Sequence, residues 1–171
     1  MTIENNDLLF AKVRPDAIIP SKREEDAAYD LYACFDEDYM YFKPHETRLV
    51  PTGIACAMTK DYYLQLEERG STAIKGVKKS AGIIDSGYRN EIFVAICNIN
   101  DRPMIIAKNN ITAKDIFGNI EMSHIIYPYS KAIAQGIVHK VHNMNVKEIS
   151  YDELLNIPSE RGLGALGSSL K

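Results

Sequence analysis

Short runs of β-favouring residues recur along this chain, each closed off by Pro, Gly, Asp or Asn, and apolar residues hardly ever repeat at helical spacing. Residues 8–13, 31–35, 39–42, 48–51, 54–58, 62–66, 92–99, 104–107 and 133–141 read as strands. Strands this short bury their apolar faces by stacking sheets, which predicts an all-β sandwich or barrel. Two brief helices are expected, at 71–75 and 151–155, and neither is long enough to organise a fold. With 171 residues, 46% of them hydrophobic, the chain has the material for one compact domain and its core.

The stretch Gly82-Ile83-Ile84-Asp85-Ser86-Gly87-Tyr88-Arg89-Asn90-Glu91 runs into the apolar residues 92–97. Two β-rich segments around a polar turn predict a hairpin with an acid, an aromatic ring and an arginine at its tip. A carboxylate at the end of a rigid strand suits a general base, because the scaffold sets its reach; that role falls to Asp85. Asp, Ser and Gly also make turns for backbone reasons alone, so both readings stand at this point. Upstream, Glu67-Glu68-Arg69-Gly70-Ser71-Thr72-Ala73-Ile74-Lys75-Gly76 sets an arginine, a hydroxyl and glycine amides where a strand gives way to a helix start. That is either a phosphate cradle or a solvated cap.

Asp30 stands where a strand begins, a common place for a local backbone acceptor. Residues 109–128 are polar and Asn-rich; they are expected to be an inserted hairpin or arm that binds a protein partner, or else a plain long loop. His139 and His142 lie three apart in a strand-like segment, which sends them to opposite faces and argues against a metal pair. The tail Glu160-Arg161-Gly162-Leu163-Gly164-Ala165-Leu166-Gly167-Ser168-Ser169-Leu170-Lys171 fits G-x-G-x-x-G, but without the strand and helix a dinucleotide fold needs. It reads as a flexible arm able to close over an anion, or as a Gly/Ser tail.

Three cysteines, Cys34, Cys56 and Cys97, are odd in number, widely spaced and set among small or apolar neighbours, as buried thiols in a reducing compartment would be. A net charge of −3 gives no basic field for nucleic-acid binding. No signal-peptide run opens the chain and no stretch is expected to span a bilayer. A cytoplasmic protein is the expectation.

Taken in order, these residues resemble the trimeric deoxyuridine triphosphatases (dUTPases). Ala27-Ala28-Tyr29-Asp30-Leu31-Tyr32-Ala33 is similar to A-G-Y-D-L-x-A, and Val50-Pro51-Thr52-Gly53-Ile54 to V-P-T-G-I. Arg69-Gly70-Ser71-Thr72-Ala73-Ile74-Lys75 resembles R-S-G-x-A-x-K with Ser and Gly exchanged, and residues 82–91 resemble G-x-I-D-x-x-Y-x-G-E. Ala132-Ile133-Ala134-Gln135 is similar to R-I-A-Q, and residues 161–169 to R-G-x-G-G-F-G-S-S. The resemblance implies a distorted jelly-roll domain over residues 1–160, a homotrimer with active sites at subunit interfaces, and a flexible carboxy-terminal arm, residues 161–171, that caps a site built by other subunits. It implies Mg2+ carried in on the triphosphate and conversion of dUTP and water to dUMP and pyrophosphate, which keeps uracil out of DNA and supplies dUMP for dTMP synthesis.

By the same resemblance Asp85 activates water and Asp30 supports the site. Phosphates meet Arg69, Gly70, Ser71 and Gln135, and from the arm Arg161, Gly164, Gly167 and Ser168. Uracil is read by the backbone around Gly82 and Ile84 and capped by Leu166, where the family has a stacking phenylalanine. Tyr88 packs on the deoxyribose and leaves no room for a 2′-hydroxyl. Asn90 and Ala132 are further departures, and the altered Arg69-Gly70-Ser71 and Leu166, with the insertion, also suit a regulatory binding protein that keeps the fold. A dCTP deaminase shares that fold, but its catalytic glutamate would fall at Ala95, and residues 92–100 hold no acid.

Overall fold

The computed structural model describes residues 3–4, 6–108, 111–118 and 123–164. Among them lie twelve strands and three short helices: β1 (Leu8–Lys12), β2 (Tyr29–Leu31), β3 (Tyr39–Phe42), β4 (Thr47–Pro51), β5 (Ile54–Met58), β6 (Tyr62–Glu67), α1 (Gly70–Ala73), β7 (Val77–Lys79), β8 (Ile83–Ile84), β9 (Phe93–Asn98), β10 (Met104–Ala107), α2 (Ala113–Phe117), β11 (Ile125–Pro128), β12 (Ala134–Lys140) and α3 (Tyr151–Leu155). The fold is all-β, as expected. Four small sheets run in the orders β1-β5, β11-β10-β3, β2-β12-β6-β8 and β4-β9-β7. In β5 and β9 every second side chain is buried, the period that sends alternate residues to one face. Leu31, Phe42, Leu64, Leu66, Val94, Ile96, Met104 and Ile106 join one buried cluster.

Three expectations change. β8 and β9 do not form a hairpin: β8 pairs with β6 and β9 with β4 and β7, so residues 82–91 carry the chain from one sheet to another. The pattern strand-turn-strand is the same in both cases, and the pairing partner that decides between them is far away in the sequence. The strand expected at 31–35 ends at Leu31. Ala33, Cys34 and Phe35 are buried beyond it without a ladder, the Cys34 amide donating to the Pro51 carbonyl (2.8 Å) and the Phe35 amide to the Tyr129 hydroxyl (3.3 Å). Residues 125–128, expected within the insertion, are core: β11 lies parallel to β10, and its Ile125 and Tyr127 are buried. What precedes β11 includes α2, capped by Thr112 and Asp115 in a reciprocal box and anchored where Phe117 meets the Tyr41 ring at 6.2 Å.

The chain separates into two compact units, Met1–Val141 and His142–Lys171, a boundary that lies ahead of the arm expected from residue 161. In the second, Ser150 and Glu153 cap α3 reciprocally, and none of the helix's side chains is buried. Cys34 and Cys56 are buried free thiols and Cys97 is half-buried; burial pushes the Cys34 and Cys56 thiols up from their ordinary values. His139 stacks on Tyr63, ring centres 5.3 Å apart. No helix of the described residues is long and apolar enough to cross a membrane.

Gly53, in the bend between β4 and β5, has φ +67°, and a Cβ there would stand 2.7 Å from the Ala17 Cβ and 2.9 Å from the Cys34 Sγ. Its amide donates to Glu91 Oε1 at 2.7 Å. Both strain and overlap fall on the backbone that ties β5 to the end of the 82–91 turn. Gly53→Ala is expected to lower the unfolding free energy by about 3 kcal/mol, read from urea denaturation; a change near zero would mean the bend relaxes freely.

Candidate active site

Sheet register, rather than chain proximity, assembles the first cluster. In β12, Gln135 is paired on one side with Asp30 of β2 and on the other with Glu67 of β6. Two residues past Glu67, Arg69 turns back: its Nε lies 3.0 Å from Asp30 Oδ1 and its Nη2 donates to Asp30 Oδ2 at 3.2 Å, a two-pronged ion pair. Gln135 Nε2 donates to the Glu68 carbonyl at 2.7 Å, closing the corner. Ser21 forms an isolated bridge to Asp30, which pins residues 21–28 as the facing wall. The result is a groove of about 700 Å3 that Asp30, Arg69 and Gln135 line together with Lys22, Arg23, Glu25 and Asp26.

Arg69 is also the N-cap of α1, a single turn. Thr72 holds it there: the Arg69 amide donates to Thr72 Oγ1 at 3.1 Å, and that buried hydroxyl donates to the Arg69 carbonyl at 2.7 Å. Gly70 and Ser71 are exposed and occupy the first helical positions, whose amides have no intrahelical acceptor. The capping reading is met by Thr72. The cap is real, and the donors it leaves over face solvent.

The second cluster begins beside Leu66, near the Arg69 end of β6, and runs away from it along the strand. The Leu66 amide donates to the Gly82 carbonyl at 2.7 Å, and Ile84 pairs with Leu64 and packs on the core. A Cβ on Gly82 would stand 2.5 Å from the Leu66 carbonyl oxygen, so only glycine allows this approach. Asp85 follows directly; its carboxylate is exposed and has no hydrogen-bond partner among the described residues. A tight turn follows, with the Tyr88 amide donating to the Asp85 carbonyl at 3.0 Å and the Tyr88 hydroxyl to the Glu91 carbonyl at 2.9 Å. Arg89 Nη1 donates to the Ser86 carbonyl at 2.6 Å and the Tyr88 carbonyl at 2.8 Å, fixing the turn from within.

The register separates Asp85 from Arg69, while Gly82 stays beside Leu66, one residue from Glu67. Ile84 stands beside Leu64, which puts Asp85 level with Tyr63, whereas Arg69 lies past Glu67 at the other end of the strand. Four strand steps alone come to about 13 Å. In the second unit, Arg161 Nε donates to the Gly164 carbonyl at 3.0 Å, across a turn in which Gly162 has φ +52°. Leu166, Gly167 and Ser168 lie outside the described residues.

A family model described as dUTPase matches residues 14–136, a span that includes both clusters. The chain belongs to the dUTPase family. Among curated dUTPases, that of Clostridioides difficile is 29% identical over 167 residues, 95% of this chain and 97% of the relative. That of Leptospira interrogans is 33% identical over 103 residues, 58% of this chain and 70% of the relative. Among solved structures, the Staphylococcus bacteriophage 80alpha dUTPase with dUpNHpp has a TM-score of 0.74 at 22% identity, covering 98% of this chain and 100% of the other. The EIAV dUTPase has a TM-score of 0.60 at 22% identity, covering 85% and 98%. At such identities the likeness is one of fold.

Within this dUTPase fold, sequence reasoning missed Thr72. A threonine three residues after a strand-ending arginine is a capping signal, and it was present in the string Arg69-Gly70-Ser71-Thr72. It also missed Lys22, which precedes the first motif and becomes visible as a groove residue only through the Ser21 bridge.

Proposed function

We propose that the chain is a dUTP diphosphatase, hydrolysing dUTP to dUMP and pyrophosphate, and that it works as a homotrimer with each site shared between subunits. The observation that carries this reading is the separation of Asp85 from Arg69 along β6. Among the described residues, the groove at Asp30, Arg69 and Gln135 supplies phosphate donors, and its central acid is bound to Arg69. The turn at Asp85 and Tyr88 supplies a free carboxylate and a ring, and its Arg89 is engaged with its own backbone. Two copies facing each other supply everything hydrolysis needs.

In that arrangement Asp85 of one copy takes a proton from water as the water oxygen bonds to the α-phosphorus. The bond from the α-phosphorus to the bridging oxygen of the β-phosphate breaks, and pyrophosphate leaves. Arg69 and Gln135 of the next copy hold the phosphates, with the first-turn amides at Gly70 and Ser71 beside them. The backbone from Gly82 to Ile84 reads the uracil edge, and Tyr88 leaves no space for a 2′-hydroxyl. Arg161 and Gly164 belong to an arm, completed by Leu166, Gly167 and Ser168, that closes over the bound nucleotide.

Mg2+ would be held chiefly by the phosphate oxygens and its own waters, and Asp30, which lines the groove, is the carboxylate that would accept from those waters. When bound it neutralises the triphosphate charge. One structure in the family, the phage phi11 enzyme of S. aureus, is described with a structural Mg(II) ion. A cytoplasmic location belongs to the same proposal, and the buried free thiols Cys34 and Cys56 support it.

The test is pyrophosphate release from dUTP with Mg2+, run beside dCTP, dTTP and UTP. Release from dUTP and not from the others is expected. A folded protein that releases none would put the regulatory binder first.

A further inference from the structure

The groove around Arg69 contains three cations, and two of them are already engaged. Arg69 is forked onto Asp30, and Arg23 onto Asp26, with Nε to Oδ2 and Nη2 to Oδ1 both 2.8 Å. The Arg23 amide also donates to Asp26 Oδ2 (3.2 Å), so this pair staples the wall loop to itself. Lys22 is different. It forms no ion pair among the described residues, and its Nζ touches only the carbonyls of Arg23 (3.3 Å) and Glu24 (3.4 Å) and lies 5.7 Å over the Tyr29 ring. Those are long, weak contacts for an ammonium with three donors. The backbone below it is nevertheless fixed, because the Asp30 amide donates to the Ser21 carbonyl at 3.0 Å. A cation without an ion pair, on an anchored stem, thus lines the same groove as Arg69 and Gln135.

We propose that Lys22 is a further substrate-binding residue, the cation that grips the pyrophosphoryl end of the nucleotide and then the pyrophosphate product. This rests on the phosphate groove named above. Lysine suits such a contact better than arginine. The outer phosphates carry the most charge and rotate freely, and a compact point charge on a flexible stem follows them, whereas a planar guanidinium holds one orientation. Since Arg69 must exchange a two-pronged Asp30 pair for phosphate while Lys22 gives up two long carbonyl contacts, its place over the Tyr29 ring and a weaker attraction to Asp26, Lys22 makes its ionic contact at the smaller cost. The nucleoside half has no part in it, so the contribution scales with the β- and γ-phosphates alone.

Calorimetric binding of pyrophosphate and of dUMP, both with Mg2+, and steady-state hydrolysis of dUTP are compared for the wild-type protein, Lys22→Met and Lys22→Arg. Lys22→Met is expected to weaken pyrophosphate and raise KM for dUTP by about fivefold, the scale of one partly exposed charge-assisted contact, with kcat within about twofold. Binding of dUMP stays unchanged, and Lys22→Arg recovers part of the loss. Unaltered pyrophosphate binding by Lys22→Met overturns the inference, as does an equal weakening of dUMP and pyrophosphate, which signals a reshaped groove, or a wild-type protein that binds no pyrophosphate. Absence of dUTP hydrolysis in a protein whose pyrophosphate binding still depends on Lys22 overturns the proposed activity instead, so the two failures are told apart.

Discussion

Asp85→Asn is expected to reduce dUTP turnover by at least about two orders of magnitude, the contribution of a well-placed general base, while nucleotide affinity stays within a few-fold. The structure favours so clean a separation. The Asp85 carboxylate is exposed and unpartnered among the described residues, so replacing it with an isosteric amide removes no structural hydrogen bond. The turn that presents it is held by the Tyr88 amide on the Asp85 carbonyl and by Arg89 on two further carbonyls, all main-chain acceptors that the substitution leaves in place. Single-turnover pyrophosphate release and binding of a non-hydrolysable dUTP analogue measure the two quantities. Wild-type turnover by the variant would remove Asp85 from the mechanism.

Arg69→Ala should also abolish most activity, because under the proposed reading it takes away a cation that holds the phosphates and leaves Asp30 as an uncompensated acid facing a polyanion. The sharper experiment mixes the two. If each site takes Asp85 from one subunit and Arg69 from the next around a closed threefold ring, co-refolding inactive Asp85→Asn with inactive Arg69→Ala at equal amounts rebuilds about a quarter of the sites. Activity in the mixture should rise from near zero to about that fraction, with light scattering reporting the trimer. No recovery in mixed trimers would mean that both residues act within one chain, against the separation along β6.

Much of this was legible in the sequence. Runs closed by Pro, Gly, Asp or Asn marked eight of the strands nearly in place, because a run of β-branched and aromatic residues has few other ways to bury itself. The candidate residues were legible as types: Asp30, Arg69, Asp85, Tyr88 and Gln135 carry the acid, cation, ring and amide that the proposed chemistry asks for. Their grouping was not. Nothing in Gln135 or its neighbours announces that it pairs with Asp30 and Glu67, since register is set by distant strands finding their buried faces. The short β8, two residues long, carries too little pattern to reveal that it joins β6 and leaves β9 to another sheet. β11 was hidden for a different reason: four strand residues at the end of an Asn-rich stretch take on the appearance of that stretch.

The groove lined by Lys22, Arg23, Arg69, Glu25, Asp26 and Asp30 holds as many acids as bases. Summed over its walls, it casts little field into the solvent, and beyond a Debye length of about 8 Å at physiological salt a passing polyanion is hardly steered toward it. Association with nucleotide should therefore run at an ordinary unsteered rate and vary weakly with ionic strength. An abundant ribonucleotide gains nothing here from its phosphates before contact. Under the proposed reading, selection then falls on the base and sugar at the Tyr88 turn, and the site stays open in a cell crowded with other triphosphates.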